Sequence, residues 1–222
     1  MREPVRSPVS GPLDVRRQCA DDRPAPVTSP DFHWRRARTY RSGMAGQGPG
    51  GSTATRGGTG TVAPLDGWAV AVTREEGRWR AVPMERDSLT DLDAAISALR
   101  ALRSTGAVLG LLDVDDEFFV LVRPKPGGVA LLLSDAVAAL DYDVAADVLD
   151  LLRLEVPDED EADDEPWPEG DLGMLADFGV PADELAVLVE EIDLYPDEQL
   201  TAIARRCGFA DELAKVVETA AP

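Results

Sequence analysis

Apolar residues between positions 68 and 133 fall in short runs separated by polar turns, a pattern typical of β-strands. Residues 68–73 and 78–82 predict a hairpin, because a short polar turn that ends in Gly77 joins them. Three continuous apolar runs come later, and their short polar connections favour antiparallel pairing of buried strands. These runs cover residues 107–112, 118–122 and 129–133.

Two helical segments accompany these strands. Residues 92–102 carry apolar side chains at helical spacing, after Ser88-Leu-Thr-Asp91, which resembles a capping box. Residues 134–154 predict a second helical stretch, broken near Asp141. The order ββ-α-βββ-α predicts an α+β fold, with a mainly antiparallel five-stranded sheet and helices on one face.

The last fifty residues have a different pattern, in which Asp-Glu pairs recur every 14 positions and each opens an apolar helical segment. Acidic residues in a first turn favour the positive N-terminus of a helix. Residues 172–222 are therefore predicted to form a small all-α domain, with a first helix around 172–178 and three more. The pairs are Asp183-Glu184, Asp197-Glu198 and Asp211-Glu212.

Charge separates these two regions. Residues 155–171 contain ten acidic residues, three prolines and no Lys or Arg, which predicts an extended acidic linker between domains 67–154 and 172–222. Residues 1–66, rich in Pro and Arg and then in Gly, Ser and Thr, predict a disordered tail. Met44 offers an alternative start, in which case residues 1–43 are not translated.

The net charge restricts the partners of the chain. The whole chain carries −20, and residues 44–222 carry −24, because residues 1–43 hold nine Arg and five acidic residues. Such a surface repels phosphate backbones and anionic lipids, so we expect no direct nucleic-acid binding and no membrane partner. No apolar run approaches the roughly 18 residues of a membrane span, and no signal segment is present, which favours the cytoplasm.

Residues that carry catalytic or metal chemistry are scarce. His33 is the one histidine, and Cys19 and Cys207 do not form a CxxC, which argues against nucleophilic triads, zinc sites and disulfide frameworks. The zinc-binding HxE and PCxxC motifs of nucleobase deaminases are also missing. Residues 113–117 are interpreted as a charged hairpin turn and not as a calcium loop. We therefore predict no enzyme activity, no cofactor and no metal.

Several segments resemble one known family. They are Gly77-Arg-Trp79-Arg80, residues 115–123, residues 131–139, the acidic linker, and residues 179–185 and 202–213. In this order, over residues 67–218, they resemble the actinobacterial tRNA adenosine deaminase-associated proteins. The resemblance implies an accessory role in the formation of inosine at the tRNA wobble position, and it brings no catalytic residues.

Three functional hypotheses follow. The first is a non-catalytic accessory protein that contacts tRNA adenosine deaminase, and the second is an acidic nucleic-acid mimic or regulator that binds a basic protein surface. The third, a carboxylate- or metal-dependent enzyme, is the least favoured, and the oligomeric state is left open. Trp167 lies between two prolines and is interpreted as a partner anchor or as a contact with its own domain. The candidate partner-binding residues are Trp167, Glu165, Glu169, Asp183, Glu184, Asp197 and Glu198.

Overall fold

The computed structural model describes residues 65–158 and 166–220, and the tail predicted for residues 1–66 lies almost wholly outside this part of the chain. The described residues form six strands and five α-helices, joined by three 3-10 helices. The strands are β1 (Gly67–Glu75), β2 (Arg78–Pro83), β3 (Ala107–Val114), β4 (Phe118–Lys125), β5 (Gly128–Leu133) and β6 (Glu169–Gly170). The helices are α1 (Leu92–Ala101), α2 (Asp143–Leu152), α3 (Ala182–Val189), α4 (Pro196–Cys207) and α5 (Ala210–Ala220). The 3-10 helices are Arg86–Leu89, Ala136–Leu140 and Leu172–Phe178.

The strands form one antiparallel sheet in the order β2-β1-β3-β4-β5-β6. The predicted α+β class is confirmed, but the sheet has six strands and not five. The additional strand, β6, is two residues long and lies in the predicted linker. Gly170 permits it, because its φ is +126° and a Cβ there would lie 2.2 Å from the Leu131 carbonyl oxygen. A strand this short leaves no periodic signal in a sequence.

The sheet is covered on both faces: α1 and α2 lie together on one face, as predicted, and the C-terminal helices cover the other face, which was not predicted. Side chains alternate along each strand, and those of Val70 and Leu111 face the C-terminal helices. Those of Ala71 and Leu112, one residue further along, face α1 and α2. Continuous apolar runs require cover on both sides, because neither set of side chains is suited to contact with water.

The C-terminal helices begin at the predicted acidic pairs, but a separate all-α domain is not confirmed. Met174, Leu185, Ile203 and Phe209 are buried in the same core as the sheet residues that face them. Helices of 8–12 residues are too short to be stable alone, so they gain stability by packing on the sheet.

Trp79 on β2 is a central contact between the sheet and these helices. Its ring packs edge-on against Phe178, with 5.1 Å between the centroids, and at a tilt against Phe209, at 4.9 Å. The guanidinium group of Arg74 lies 5.3 Å from the ring centroid. Aromatic pairs in this geometry stabilise a core beyond the area that they bury.

Helix α1 begins differently from the prediction. Asp91 is its N-cap, and the carboxylate accepts a hydrogen bond from the Ala94 amide at 2.9 Å. Ser88, predicted as the cap, is buried in the preceding 3-10 helix. The helix then lies close to β3 at Gly110, where a Cβ would come within 2.7 Å of a Leu99 methyl group.

We predict that Trp79→Ala lowers the free energy of unfolding by about 2–3 kcal/mol, because it removes the ring that joins β2 to the helices. Urea titration followed by circular dichroism and by fluorescence of the remaining tryptophans measures this change. Both signals should move together in a single transition, because sheet and C-terminal helices share a core. Val82→Ala, on the same strand at a 42% exposed position, is the control and should change stability little. Separate transitions for the two signals would contradict the shared core.

Candidate functional site

The structure separates the two predicted acidic pairs on α3 and α4. These helices are antiparallel, because Gln199 at the start of α4 donates to the Val189 carbonyl at the end of α3. At the other end of the pair, Glu184 forms an ion pair with Arg206. Asp183 and Glu184 therefore lie at the opposite end of the helix pair from Asp197 and Glu198.

Trp167 is fixed through its backbone and exposed through its ring. Its carbonyl oxygen accepts from the Ala136 amide at 2.7 Å, and its own amide donates to Asp135 Oδ1 at 3.4 Å. The indole Nε1 donates to Glu169 Oε1 at 3.0 Å, and 42% of the residue remains exposed. Trp167 thus contacts its own chain while part of it stays exposed, and Glu165 lies outside the described residues.

The segment that holds Trp167 lies beside the loop between α3 and α4. Pro166 lines a narrow cleft together with Ile192, Leu194 and Pro196 from that loop, and Asp135 lies on the cleft wall. The loop exposes Ile192, at 42%, and Tyr195, at 68%. The apolar side chains of Trp167, Ile192 and Tyr195 are therefore presented to solvent on segments that share one cleft.

The loop between α3 and α4 is held by a buried glutamine. Gln199 Nε2 donates to the carbonyl oxygens of Val189 at 3.0 Å and Glu191 at 2.9 Å. Glu198 Oε2 accepts from the Tyr195 amide at 3.0 Å, which closes the first turn of α4. The exposed side chains of this loop thus project from an ordered backbone.

The turn between β3 and β4 lines the same cleft through Glu117. Asp115, at φ 56°, is held there because its carboxylate accepts from the Asp66 amide at 2.6 Å and from the Tyr142 hydroxyl at 3.1 Å. Tyr142 in turn packs edge-on against Phe118. The turn is therefore anchored on both sides.

Together these segments form what we call the acidic end of the sheet: residues 115–117, 135, 166–169 and 190–198. None of these ranges contains Lys or Arg. This end of the sheet therefore combines many carboxylates with exposed apolar side chains. The acidic residues are Asp115, Asp116, Glu117, Asp135, Glu169, Glu190, Glu191, Asp193, Asp197 and Glu198.

Asp113 was predicted to open the charged turn 113–117, and its burial was not predicted. It belongs to β3 and not to the turn, it is 1% exposed, and its Oδ1 has no hydrogen-bond partner among the described residues. Burial, together with the charges of Asp116 and Asp197, raises its pKa to about 7. Burial also raises the pKa of Asp197. Alternation along β3 was the available signal, since it places position 113 on a buried face.

Residues 65–158 and 166–220 show neither a metal-binding cluster nor a membrane-spanning helix. No group of three or more His, Cys, Asp or Glu side chains is arranged there to hold a metal ion. Cys207 is buried, which raises the pKa of its thiol to about 12. No helix in this part of the chain has the length and apolar character needed to cross a membrane.

A family model matches this chain from the first strand to the start of the last helix. The model of the Rv3753c-like tRNA adenosine deaminase-associated proteins matches residues 67–210. The chain belongs to this family. It is 61% identical over 153 residues to protein Rv3753c of Mycobacterium tuberculosis, covering 69% of this chain and 88% of that protein. No solved structure matches it. The resemblance inferred from the sequence motifs is thereby confirmed.

We predict that Asp113 makes the protein less stable as pH rises. A pKa of about 7 in the folded state exceeds the value of about 3.9 in an unfolded chain, so the folded protein holds a proton that the unfolded chain has released. The free energy of unfolding should therefore fall between about pH 4 and pH 7 and then level off.

Asp113→Asn should remove this dependence and stabilise the protein at about pH 8 by on the order of a few kcal/mol, with little effect near pH 4. Urea titrations of both proteins across this pH range measure the effect. Asp183→Asn, an exposed acid at the other end of α3, controls for the loss of one negative charge. Parallel pH profiles for the Asp113 variant and the natural chain would refute the assignment.

Proposed function

We propose that this protein is a non-catalytic accessory protein that binds tRNA adenosine deaminase through the acidic end of its sheet. The observation that carries the proposal is the exposure of Trp167, Ile192 and Tyr195 on an ordered backbone surrounded by carboxylates. Exposed apolar groups with a charged rim are typical of protein-binding surfaces.

The identity of the partner rests on the family and on charge. The family is described as associated with tRNA adenosine deaminase, and the acidic end lacks Lys and Arg. Enzymes that bind tRNA present basic surfaces to the phosphate backbone. A basic surface and an acidic one attract at long range, which accelerates and orients docking.

The two kinds of side chain have different roles in this proposal. Trp167 and Tyr195 lose contact with water on binding and act as anchors, so they determine mainly the dissociation rate. The carboxylates remain at the rim and determine mainly the association rate and its salt dependence. Asp197 and Glu198 belong to this surface, whereas Asp183 and Glu184 lie at the far end of α3.

We predict that Trp167→Ala and Tyr195→Ala each weaken the complex with the deaminase by about tenfold or more, chiefly through faster dissociation. Surface plasmon resonance with the immobilised deaminase measures both rates, and a thermal melt measures stability. Leu151→Ala, at a 51% exposed apolar position on α2, is the control and should leave binding unchanged. If Trp167→Ala instead lowers the melting temperature and leaves affinity intact, the indole ring stabilises the fold and does not bind the deaminase.

Charge reversal should slow association at one end of α3 and not at the other. Glu190→Lys combined with Glu191→Lys, at the acidic end, should slow association several-fold at low salt. Asp183→Lys, at the other end, should leave association nearly unchanged. Stopped-flow measurements at several ionic strengths test this, because steering by surface charge weakens with screening. Equal effects at both ends would show that net charge, and not this surface, directs binding.

The second candidate function is that of a nucleic-acid mimic, which the −24 charge of residues 44–222 favours. A mimic would occupy the tRNA-binding surface of the deaminase, and its complex would dissociate in high salt and in the presence of excess tRNA. An accessory protein anchored by Trp167 and Tyr195 would remain bound under both conditions. A pull-down with the deaminase at low and high salt, with and without tRNA, distinguishes the two.

A further inference from the structure

The two central strands separate at the end of the sheet that lies away from the acidic end. Their pairing runs from Val114 opposite Phe118 to Gly110 opposite Val122 and stops there. Beyond this point β3 pairs only with β1, and β4 pairs only with β5. Continued pairing would place Pro124 opposite Val108, and proline has no N–H to donate to the ladder.

A cleft of about 420 Å³ lies at this fork. The segment from Leu99 to Val108 forms one wall, and residues 123–126 form the other. Leu102 and Val108 contribute apolar surface to it. A volume of this size falls within the range of about 300–1,000 Å³ that is typical of small-molecule sites.

The cleft concentrates positive charge in a strongly acidic protein. Four of the twelve Lys and Arg residues in the described part of the chain line it, and no Asp or Glu does. They are Arg100, Arg103, Arg123 and Lys125. One carboxylate lies next to the cleft, because the lining residue Ser104 donates to Glu75 Oε1 at 2.8 Å.

Not all four cations are available to a ligand. Arg123 holds Asp177 through two hydrogen bonds of 2.6 Å and stacks on Phe178, so it has a structural role. Lys125 pairs with Asp171 at 2.9 Å, with both side chains more than 40% exposed, and such pairs are weak and exchange readily.

Two arginines remain uncommitted. Arg100 makes one long hydrogen bond, 3.3 Å, to the Gly128 carbonyl oxygen. Arg103 makes no side-chain hydrogen bond or ion pair with another described residue. Arg100 lies in the last turn of α1 and Arg103 just beyond it, so both side chains start from the same end of the helix. The dipole of α1 opposes an anion at this end, so a site here requires more than one guanidinium group.

We propose that this cleft binds a small phosphorylated molecule, with the phosphate at Arg100 and Arg103 and the apolar part against Leu102 and Val108. Two guanidinium groups and an exchangeable ammonium group match a phosphate dianion better than a carboxylate, which carries one charge. A small ligand is favoured over a nucleic acid, because the rest of this acidic surface repels a polyanion.

Titration calorimetry on the full chain tests the proposal with four probes: phenyl phosphate, inorganic phosphate, benzoate and phenol. Phenyl phosphate should bind most tightly, since it satisfies both parts of the cleft, and phenol should not bind measurably. Replacement of both arginines by alanine, R100A/R103A, should weaken phenyl phosphate binding by about tenfold or more without changing the thermal melt. Arg205→Ala, at an exposed arginine on α4, removes one positive charge elsewhere and should change binding less than about twofold.

Three outcomes would overturn the proposal. The first is an absence of saturable phenyl phosphate binding at millimolar concentrations. The second is equal weakening by Arg205→Ala and by the double variant, which would show that the change in net charge, and not the loss of this site, lowers the affinity. The third is tighter binding of a short RNA oligonucleotide that is also lost in the double variant, which would assign the cleft to nucleic acid. Each outcome is independent of binding to the deaminase.

Discussion

Strands β3 and β4 carry apolar side chains on both faces, and neither face is stable in contact with water. Burial of each large aliphatic side chain contributes about 1.5–3 kcal/mol, so both faces need a covering layer. Helices α1 and α2 cover one face, and the C-terminal helices cover the other. The short C-terminal helices depend on this arrangement in turn, because they lack a core of their own. The packing of the sheet therefore determines where every other element lies.

The candidate surface is a consequence of that packing. When α3 and α4 lie on the sheet, the loop between them comes next to the turn between β3 and β4 and next to Pro166. Strand β6 brings Trp167 to the same place, because it attaches the preceding chain to the edge of β5. Asp113 is buried in β3, and its pKa is raised chiefly by this burial and further by the neighbouring charges of Asp116 and Asp197. A surface rich in carboxylates and a buried carboxyl group with a raised pKa thus arise from the same packing.

The two ends of the central strands β3 and β4 carry opposite charge. The turn that joins β3 to β4 belongs to the acidic end, whereas the opposite ends of the same strands separate at the fork, which four basic residues line. Eight residues of extended strand separate these regions by about 26 Å, which is well beyond the screening length at physiological salt. The two regions can therefore attract unlike ligands without strong mutual interference. A deaminase contact at one end and a phosphate ligand at the other are compatible within one small domain.

Local pattern determined most elements of this protein, and the tertiary structure determined how they are arranged. Alternation, turn residues and acidic first turns identified the first five strands, both long helical segments and the C-terminal helices, since each signal depends on neighbouring residues. The same signals could not reveal β6, the shared core or the cover on both faces, because these depend on contacts between distant segments. Of the candidate residues, Trp167 and Asp197 lie on segments at one end of the sheet, whereas Asp183 lies elsewhere. The burial of Asp113 and the basic fork were not predicted. Proximity and burial decide which carboxylates and arginines act together, and both arise only when separate parts of the chain pack on one sheet.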